Sequence, residues 1–334
     1  MRGVIALFLL AAGSPASAET PPPIIDMHLH ASSADANGPP PLGLCSPLPE
    51  FPLPDPKESW EVRFIAWQKK PPCVDPVWSP ETDEALMRQT IAVMKRRNIY
   101  GVISGAPARV RQWSEAAPGR FIRGMGFQLG PDAITPARLR ELHAEGAFEV
   151  LAEVTNQYLG IAPSDSRFEP YLQVAEELDI PVGIHVGTGP PGAPYLGMAN
   201  YRAAMHSALT LEDALLRHPR LRVYIMHAGW PMLDDLLAVL WAHPQVYAEV
   251  GGIAFALPRA ELHRFIQRIV EAGFGKRLMF GSDQMVWPGL IERAIENVES
   301  TPFLTPEQKR DIFYGNAARF LRLTEEEIAR HHAG

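Results

Sequence analysis

The chain has only two cysteines in 334 residues, Cys45 and Cys73, too few for a scaffold built on disulfides or for a four-cysteine metal finger. It also lacks an excess of positive charge. Its 31 Lys and Arg residues stand against 38 Asp and Glu, a formal net charge of −7, whereas nucleic-acid binders concentrate a basic face. No nucleic acid is therefore expected as a partner. Past residue 12 there is no apolar run close to the ~20 residues that a membrane-spanning helix needs. No G-x-G-x-x-G follows the first apolar strand, which weakens a dinucleotide-binding reading. Internal repeats and long blocks of like charge are missing too. What is present is ordinary globular composition, 46% hydrophobic and 21% charged, on a chain long enough for one large core.

Residues 1–18 have the form of a signal peptide. Met1-Arg2 carries the positive charge, Val4 to Ala12 is a short apolar core, and Ala16-Ser17-Ala18 has the small-x-small form of a cleavage site. Cleavage near Ala18–Glu19 would give a periplasmic or secreted protein with no stable membrane insertion, the rival being an uncleaved anchor. An oxidising compartment gives the cysteines meaning. A Cys45–Cys73 bridge would close a loop worth about 3–4 kcal/mol by loop entropy, and two free thiols are the alternative, because sequence does not give their separation.

After Pro21-Pro22-Pro23, the stretch Ile24 to Leu29 reads as the first strand. Residues 31–80 are proline-dense and aperiodic except for Ser59 to Lys69, where Trp60, Phe64 and Trp67 share a helical face. A loop this long inside a compact domain is usually functional, so it is expected to cap a site, with a purely structural insertion as the alternative. From Glu81 onward helices and apolar strands alternate. Strands are expected over 100–104, 121–127, 148–154, 181–186, 221–226, 245–250 and 277–281. Helices are expected over 83–97, 137–145, 169–178, 211–217, 232–241, 259–272, 290–298 and 306–313. Eight such strands with covering helices predict a parallel α/β fold, closed as a (β/α)8 TIM barrel over residues 19–334.

In a barrel of this kind chemistry sits at the C-terminal strand ends, and these ends are polar here. His28 and His30 end the first strand, two residues apart and therefore on one face. Glu153 ends the fourth, His185 the fifth and His227 the sixth, and Asp283 closes Met279-Phe280-Gly281-Ser282-Asp283 at the eighth. Each has an ordinary alternative. A single histidine is more often a hydrogen-bonded core residue, Asp283 could cap a turn, and Glu153 could accept a hydrogen bond behind a ligand. A buried unpaired charge at each strand end is costly, and a divalent cation satisfies all of them at once. The remaining histidines (His143, His206, His218, His243, His263, His331 and His332) are expected at the surface. Trp67, Tyr158, Tyr195, Trp230, Phe255 and Trp287 are candidates to line an apolar pocket, with ordinary packing equally open for each.

The order His28-x-His30, His185, His227 and Gly281-Ser282-Asp283 resembles the amidohydrolase superfamily. It is most similar to the amidohydrolase-related branch, which includes the aminocarboxymuconate-semialdehyde decarboxylase-like enzymes, and Tyr314-Gly315-Asn316-Ala317-Ala318-Arg319-Phe320 resembles the segment that closes that branch. The resemblance implies His28, His30, His185 and Asp283 as metal ligands, with Zn²⁺ the default and Mn²⁺ or Fe²⁺ as alternatives. Asp283 would relay a proton, and His227 would hold a second metal or polarise a substrate. A carboxylate at Glu153 is similar to the bridging ligand of the binuclear TatD-like nucleases, although Val154-Thr155 departs from their pattern; if it bridges, His28, His30 and Asp283 take one ion and His185 and His227 the other. The implied activity is hydrolysis of a C–N, C–O or P–O bond in a small substrate. The competing class is non-oxidative decarboxylation of an aromatic or unsaturated acid, for which Arg63, Arg109 and Arg202 are candidate cations. A metal-holding binding protein needs neither proton relay nor electrophile, and a nuclease fits the acidic balance poorly. A homo-oligomer is compatible with all of these.

Overall fold

The computed structural model describes residues 20–50 and 52–334; the leader expected over 1–18 lies outside them. Eight parallel strands form one sheet in chain order: β1 (Ile24–Ala31), β2 (Ile99–Gly105), β3 (Phe121–Phe127), β4 (Val150–Val154), β5 (Val182–His185), β6 (Val223–Met226), β7 (Val246–Glu249) and β8 (Leu278–Met279). The seam between β8 and β1 is joined just past β8, where Met27 N–H donates to Phe280 O at 3.0 Å and Asp283 N–H to His28 O at 2.8 Å. This is the expected TIM barrel.

Apart from β3, which is partly exposed, the strands are buried on both faces, as a parallel sheet covered by helices requires. One apolar cluster fills the barrel interior, with Ile25, Met27, Val102, Val150, Tyr224 and Met226 among its members, and Tyr314, Ala317 and Phe320 close it below. A larger cluster lies between the strands and the outer helices. The strand register shifts between Asp26 and Leu29 in β1 and again between Leu151 and Val154 in β4. Irregularities of this kind re-aim a side chain. They allow Met27 and Ala152 to join the interior cluster while their neighbours His28 and Glu153 enter the polar cluster above it.

The expected helices form with small differences at their ends, and 306–313 is divided into an α-helix, Pro306–Arg310, and a π-turn, Asp311–Gly315. A helix over Pro107–Ala116 was not anticipated, since it buries only Val110 and Trp113 and so carries little periodic signal. The long insertion holds the expected helix, Trp60–Lys69, started by the Ser59 hydroxyl accepting from Val62 N–H. It also contains a two-stranded hairpin, Gly43–Leu44 with Val77–Trp78, and the Cys45–Cys73 disulfide. Trp60 Nε1 donates to Pro191 O at 2.8 Å, and Asn37 Nδ2 approaches the Met285 sulfur at 3.7 Å. The insertion thus bridges the loops following the strands that carry His185 and Asp283. Among the described residues no helix is long and apolar enough to cross a membrane.

Four histidines expected at the surface are buried: His206, His218, His243 and His331. Each has a polar partner at a ring nitrogen. Tyr201 Oη lies 2.6 Å from His206 Nε2, Glu169 Oε1 2.7 Å from His218 Nε2, Glu212 Oε1 3.6 Å from His243 Nε2, and Tyr314 Oη 3.1 Å from His331 Nδ1.

Candidate metal centre

All six strand-end residues singled out in the sequence converge at the mouth of the barrel. Glu153 lies at the middle. Its Oε2 is 3.7 Å from His28 Nε2 and 3.8 Å from His30 Nε2, while its Oε1 is 3.8 Å from His185 Nε2 and 3.7 Å from His227 Nε2. Asp283 Oδ1 is 3.0 Å from His30 Nε2 and 3.6 Å from His28 Nε2. One carboxylate therefore separates two histidine pairs, and a second closes the pair from β1.

The backs of the rings set which nitrogen faces inward. His28 Nδ1 meets Glu249 Oε1 at 3.2 Å, His185 Nδ1 meets Gln157 Oε1 at 3.0 Å, and His227 Nδ1 meets Gly251 O at 2.8 Å. Gln157 is oriented by Gly187, whose carbonyl accepts from its Nε2 at 2.9 Å and whose N–H donates to its Oε1 at 3.2 Å. All three partners are acceptors, so each Nδ1 carries a proton toward them and each Nε2 faces the centre, where it offers a lone pair whenever the ring is neutral. His30 is fixed through its backbone: its N–H donates to Gln284 Oε1 at 3.0 Å and its carbonyl accepts from Gln284 Nε2 at 2.7 Å.

The electrostatics ask for positive charge. Burial opposes protonation of His28, but the Asp283 and Glu153 carboxylates outweigh it and hold the imidazole well above its ordinary value. Burial likewise opposes ionisation of Glu153, yet the surrounding histidines, His28 foremost, hold it well below the usual carboxylate range, and Asp283 is lowered in the same way. Burial, reinforced by neighbouring His227, pulls His185 down to about 3, leaving it a neutral lone-pair donor. Asp26, wholly buried, is pushed up to about 7 by desolvation despite accepting from the His28 and Ser282 N–H groups at 3.0 and 2.9 Å. His227 Nε2 is buried without a hydrogen-bond partner.

This donor set fits divalent cations. Ring nitrogens of separate imidazoles face one another, His28 and His30 Nε2 only 3.0 Å apart, an arrangement that holds together around a shared proton or a shared cation. Donors about 2.0–2.1 Å from one tetrahedral ion stand roughly 3.3–3.5 Å from each other, close to the spacings here. Three sets qualify by proximity: His28, His30 and Asp283; Glu153, His185 and His227; and His28, His227 and Glu249.

Glu249 was missed in the sequence although it carries the same signal, an ionisable residue ending an apolar strand. It is wholly buried, accepts from His227 N–H at 2.9 Å and from Gly251 N–H, and backs His28. Of the pocket candidates, Tyr158 reaches His185, its Oη 2.9 Å from Nε2. Phe255 and Trp287 are core residues and Tyr195 is exposed. Trp230 Nε1 donates to Glu261, and Trp67 stacks near Phe64 within the insertion. The candidate cations are engaged elsewhere: Arg63 with Glu58, Arg109 with Asp83, and Arg202 with the carbonyls of Ala199 and Tyr201.

The amidohydrolase family model matches residues 25–323. The chain belongs to the amidohydrolase superfamily. Solved structures similar to it show the fold. An uncharacterized TIM-barrel protein from Bordetella bronchiseptica is 20% identical with a TM-score of 0.59, over 92% of this chain and 100% of that one. A protein assigned as a 2-pyrone-4,6-dicarboxylic acid hydrolase from Acinetobacter baumannii is 17% identical with a TM-score of 0.56, over 90% and 99%. A manganese-bound 5-carboxyvanillate decarboxylase from Novosphingobium aromaticivorans is 13% identical with a TM-score of 0.57, over 92% and 99%. No curated protein is similar enough in sequence to match. This amidohydrolase thus has structural neighbours of both hydrolase and decarboxylase types.

Proposed function

We propose that this amidohydrolase is a metal-dependent hydrolase of a C–N, C–O or P–O bond in a small substrate, in which Glu153 would help to hold two divalent ions, Zn²⁺ by default and Mn²⁺ or Fe²⁺ as alternatives. One observation carries the proposal: the two oxygens of Glu153 face different histidine pairs at matched distances of 3.7–3.8 Å. His28, His30 and Asp283 would hold one ion, and His185 and His227 the other. Ions held there supply Lewis acidity, which polarises the bond under attack and brings water into its nucleophilic range near neutral pH.

The chain's own groups do the rest. Asp283, ionised at the mouth beside His28 and His30, would take a proton from the attacking water and return it to the leaving group. Glu249, Gln157 and the Gly251 carbonyl hold the imidazoles in the tautomer that faces inward. The proposal takes the protein as periplasmic or secreted, which the signal-like form of residues 1–18 supports, with a small molecule as its partner.

Decarboxylation remains the second reading because a similar solved structure is a decarboxylase. It asks for a cation to anchor the acid, and the three arginines considered for that role are committed to Glu58, Asp83 and backbone carbonyls. The deciding experiment is metal content per chain of protein purified without chelator or histidine tag. Two equivalents, falling to one in Glu153→Gln, are expected. One equivalent unchanged by that substitution favours the decarboxylase, and no metal after adding Zn²⁺ or Mn²⁺ refutes both.

A further inference from the structure

Tyr158 lies in the turn Asn156–Leu159, immediately after the strand that carries Glu153. Its ring has a fixed seat. It stacks on Tyr201, with centroids 5.7 Å apart and planes 24° from parallel. On its other contact it lies against Gly189, where a Cβ would come within 2.8 Å of the ring and 3.0 Å of the hydroxyl. Tyr201 is itself pinned: its hydroxyl donates to Gly187 O at 3.0 Å, accepts from Gly189 N–H at 2.9 Å and meets His206 Nε2 at 2.6 Å. The Tyr158 hydroxyl thus has little freedom to leave its position 2.9 Å from His185 Nε2.

That nitrogen has one lone pair, because Nδ1 carries the proton toward Gln157. Tyr158 and a cation would compete for it. When a cation takes the lone pair, the O–H loses that acceptor and turns to another oxygen at the mouth, either the Glu153 carboxylate, whose Oε1 stands 3.8 Å from the same nitrogen, or one belonging to whatever binds there. A neutral phenol, with an ordinary pKa of ~10, is a hydrogen-bond donor at working pH. It is the kind of fixed donor that stabilises charge developing on an oxygen.

We propose that Tyr158 is a catalytic residue, its hydroxyl donating a hydrogen bond to the carbonyl or phosphoryl oxygen of the substrate that gains negative charge, with His185 Nε2 as the acceptor it uses when no cation is bound. This rests on the metal-hydrolase proposal. It makes one demand that a packing role does not: loss of the hydroxyl removes a competitor for His185 and a donor to the bound anion together, so anion affinity falls while zinc affinity holds or rises.

The test uses Zn²⁺ and inorganic phosphate as probes on wild type and Tyr158→Phe. Zinc affinity is read by competition with a chromophoric chelator, and phosphate affinity by calorimetry on the zinc-loaded protein. The variant should bind zinc as tightly as wild type or up to about tenfold more tightly, and phosphate on the order of tenfold to a hundredfold more weakly, the range for a hydrogen bond to a charged group. Zinc and phosphate weakened together would show that the ring merely supports His185 and would overturn the assignment. Unchanged phosphate affinity would overturn it as well. A wild-type protein that takes no zinc would overturn the metal-hydrolase proposal and this inference with it, an outcome distinct from the other two.

Discussion

Glu249 divides its carboxylate between the His28 ring and the backbone N–H groups of His227 and Gly251, so one side chain orients histidines from two strands. Removing its charge while keeping its shape should loosen both. Glu249→Gln is expected to lower zinc affinity by about 10–100-fold, the usual cost of losing a partner behind a ligand, as read by chelator competition; unchanged affinity would show that the backbone alone sets the rings. Gly252 tests the same region sterically. Its φ is +71°, and a Cβ there would stand 2.9 Å from Asp283 Oδ2 and 3.1 Å from His227 Nδ1. Asp283 and His227 already have φ of 53° and 61°, a conformation that costs on the order of 1–3 kcal/mol each and is typical of functional sites. Gly252→Ala should lower the thermal midpoint and weaken zinc binding at once, whereas a loss of stability with normal zinc affinity would mean that the site tolerates the methyl. At this scale the sequence was informative where ionisable residues ended apolar strands, which is how His28, His30, Glu153, His185, His227 and Asp283 could be picked out together. Glu249 went unread because the strand expected over 245–250 places it before the end, whereas the strand stops at Glu249 itself. The positive φ values have no sequence signal at residues other than glycine.

Among the elements, the barrel strands were legible because burial on both faces leaves continuous apolar runs. The register shifts in β1 and β4 were not, since they depend on how adjacent strands pair. The insertion was legible as an interruption, but its hairpin is too short to show a period, and its disulfide became a pairing only through a Cα separation of 5.9 Å. That bridge spans a sequence separation of 28, a loop whose closure is worth about 3–4 kcal/mol. Much of this should appear as local opening of the insertion, because the stretch closed by the bridge is tied to the barrel by scattered single bonds such as Leu48 N–H to Ala256 O, Ser46 Oγ to Phe255 O and Trp60 to Pro191. In the Cys45→Ser/Cys73→Ser variant, proteolytic cleavage within 46–72 should accelerate by on the order of a hundredfold, mapped by mass spectrometry, while cleavage elsewhere stays slow. An unchanged rate would mean that packing alone holds the insertion down.

Across the whole molecule the two ends of the barrel are built for different ends. The C-terminal strand ends gather the carboxylates and imidazoles, and the opposite end is sealed by the last two helices, Asn316–Leu321 and Glu325–Ala333. His331 is the buried histidine of that seal. It stacks on Tyr100 with centroids 3.6 Å apart, and Asn98 Nδ2 donates to its carbonyl at 3.1 Å. Burial, opposed by Glu327 and reinforced by Arg330, Arg120 and His332, brings its imidazole down to about 4; Tyr100 and Tyr314 are the other titratable groups against it. Between pH 4 and 6.5 the unfolded chain binds a proton here that the folded chain does not, so stability from this site is complete above about 6.5 and drains away as pH falls toward 4. The urea midpoint of wild type should therefore fall further between pH 7 and pH 5 than that of His331→Asn. Acid should also loosen residues 316–333 in hydrogen exchange before it disturbs β1 to β8. Because the mouth histidines titrate identically in both proteins, the difference between the two midpoints isolates the seal. Parallel acid slopes would assign the acid sensitivity to the mouth instead.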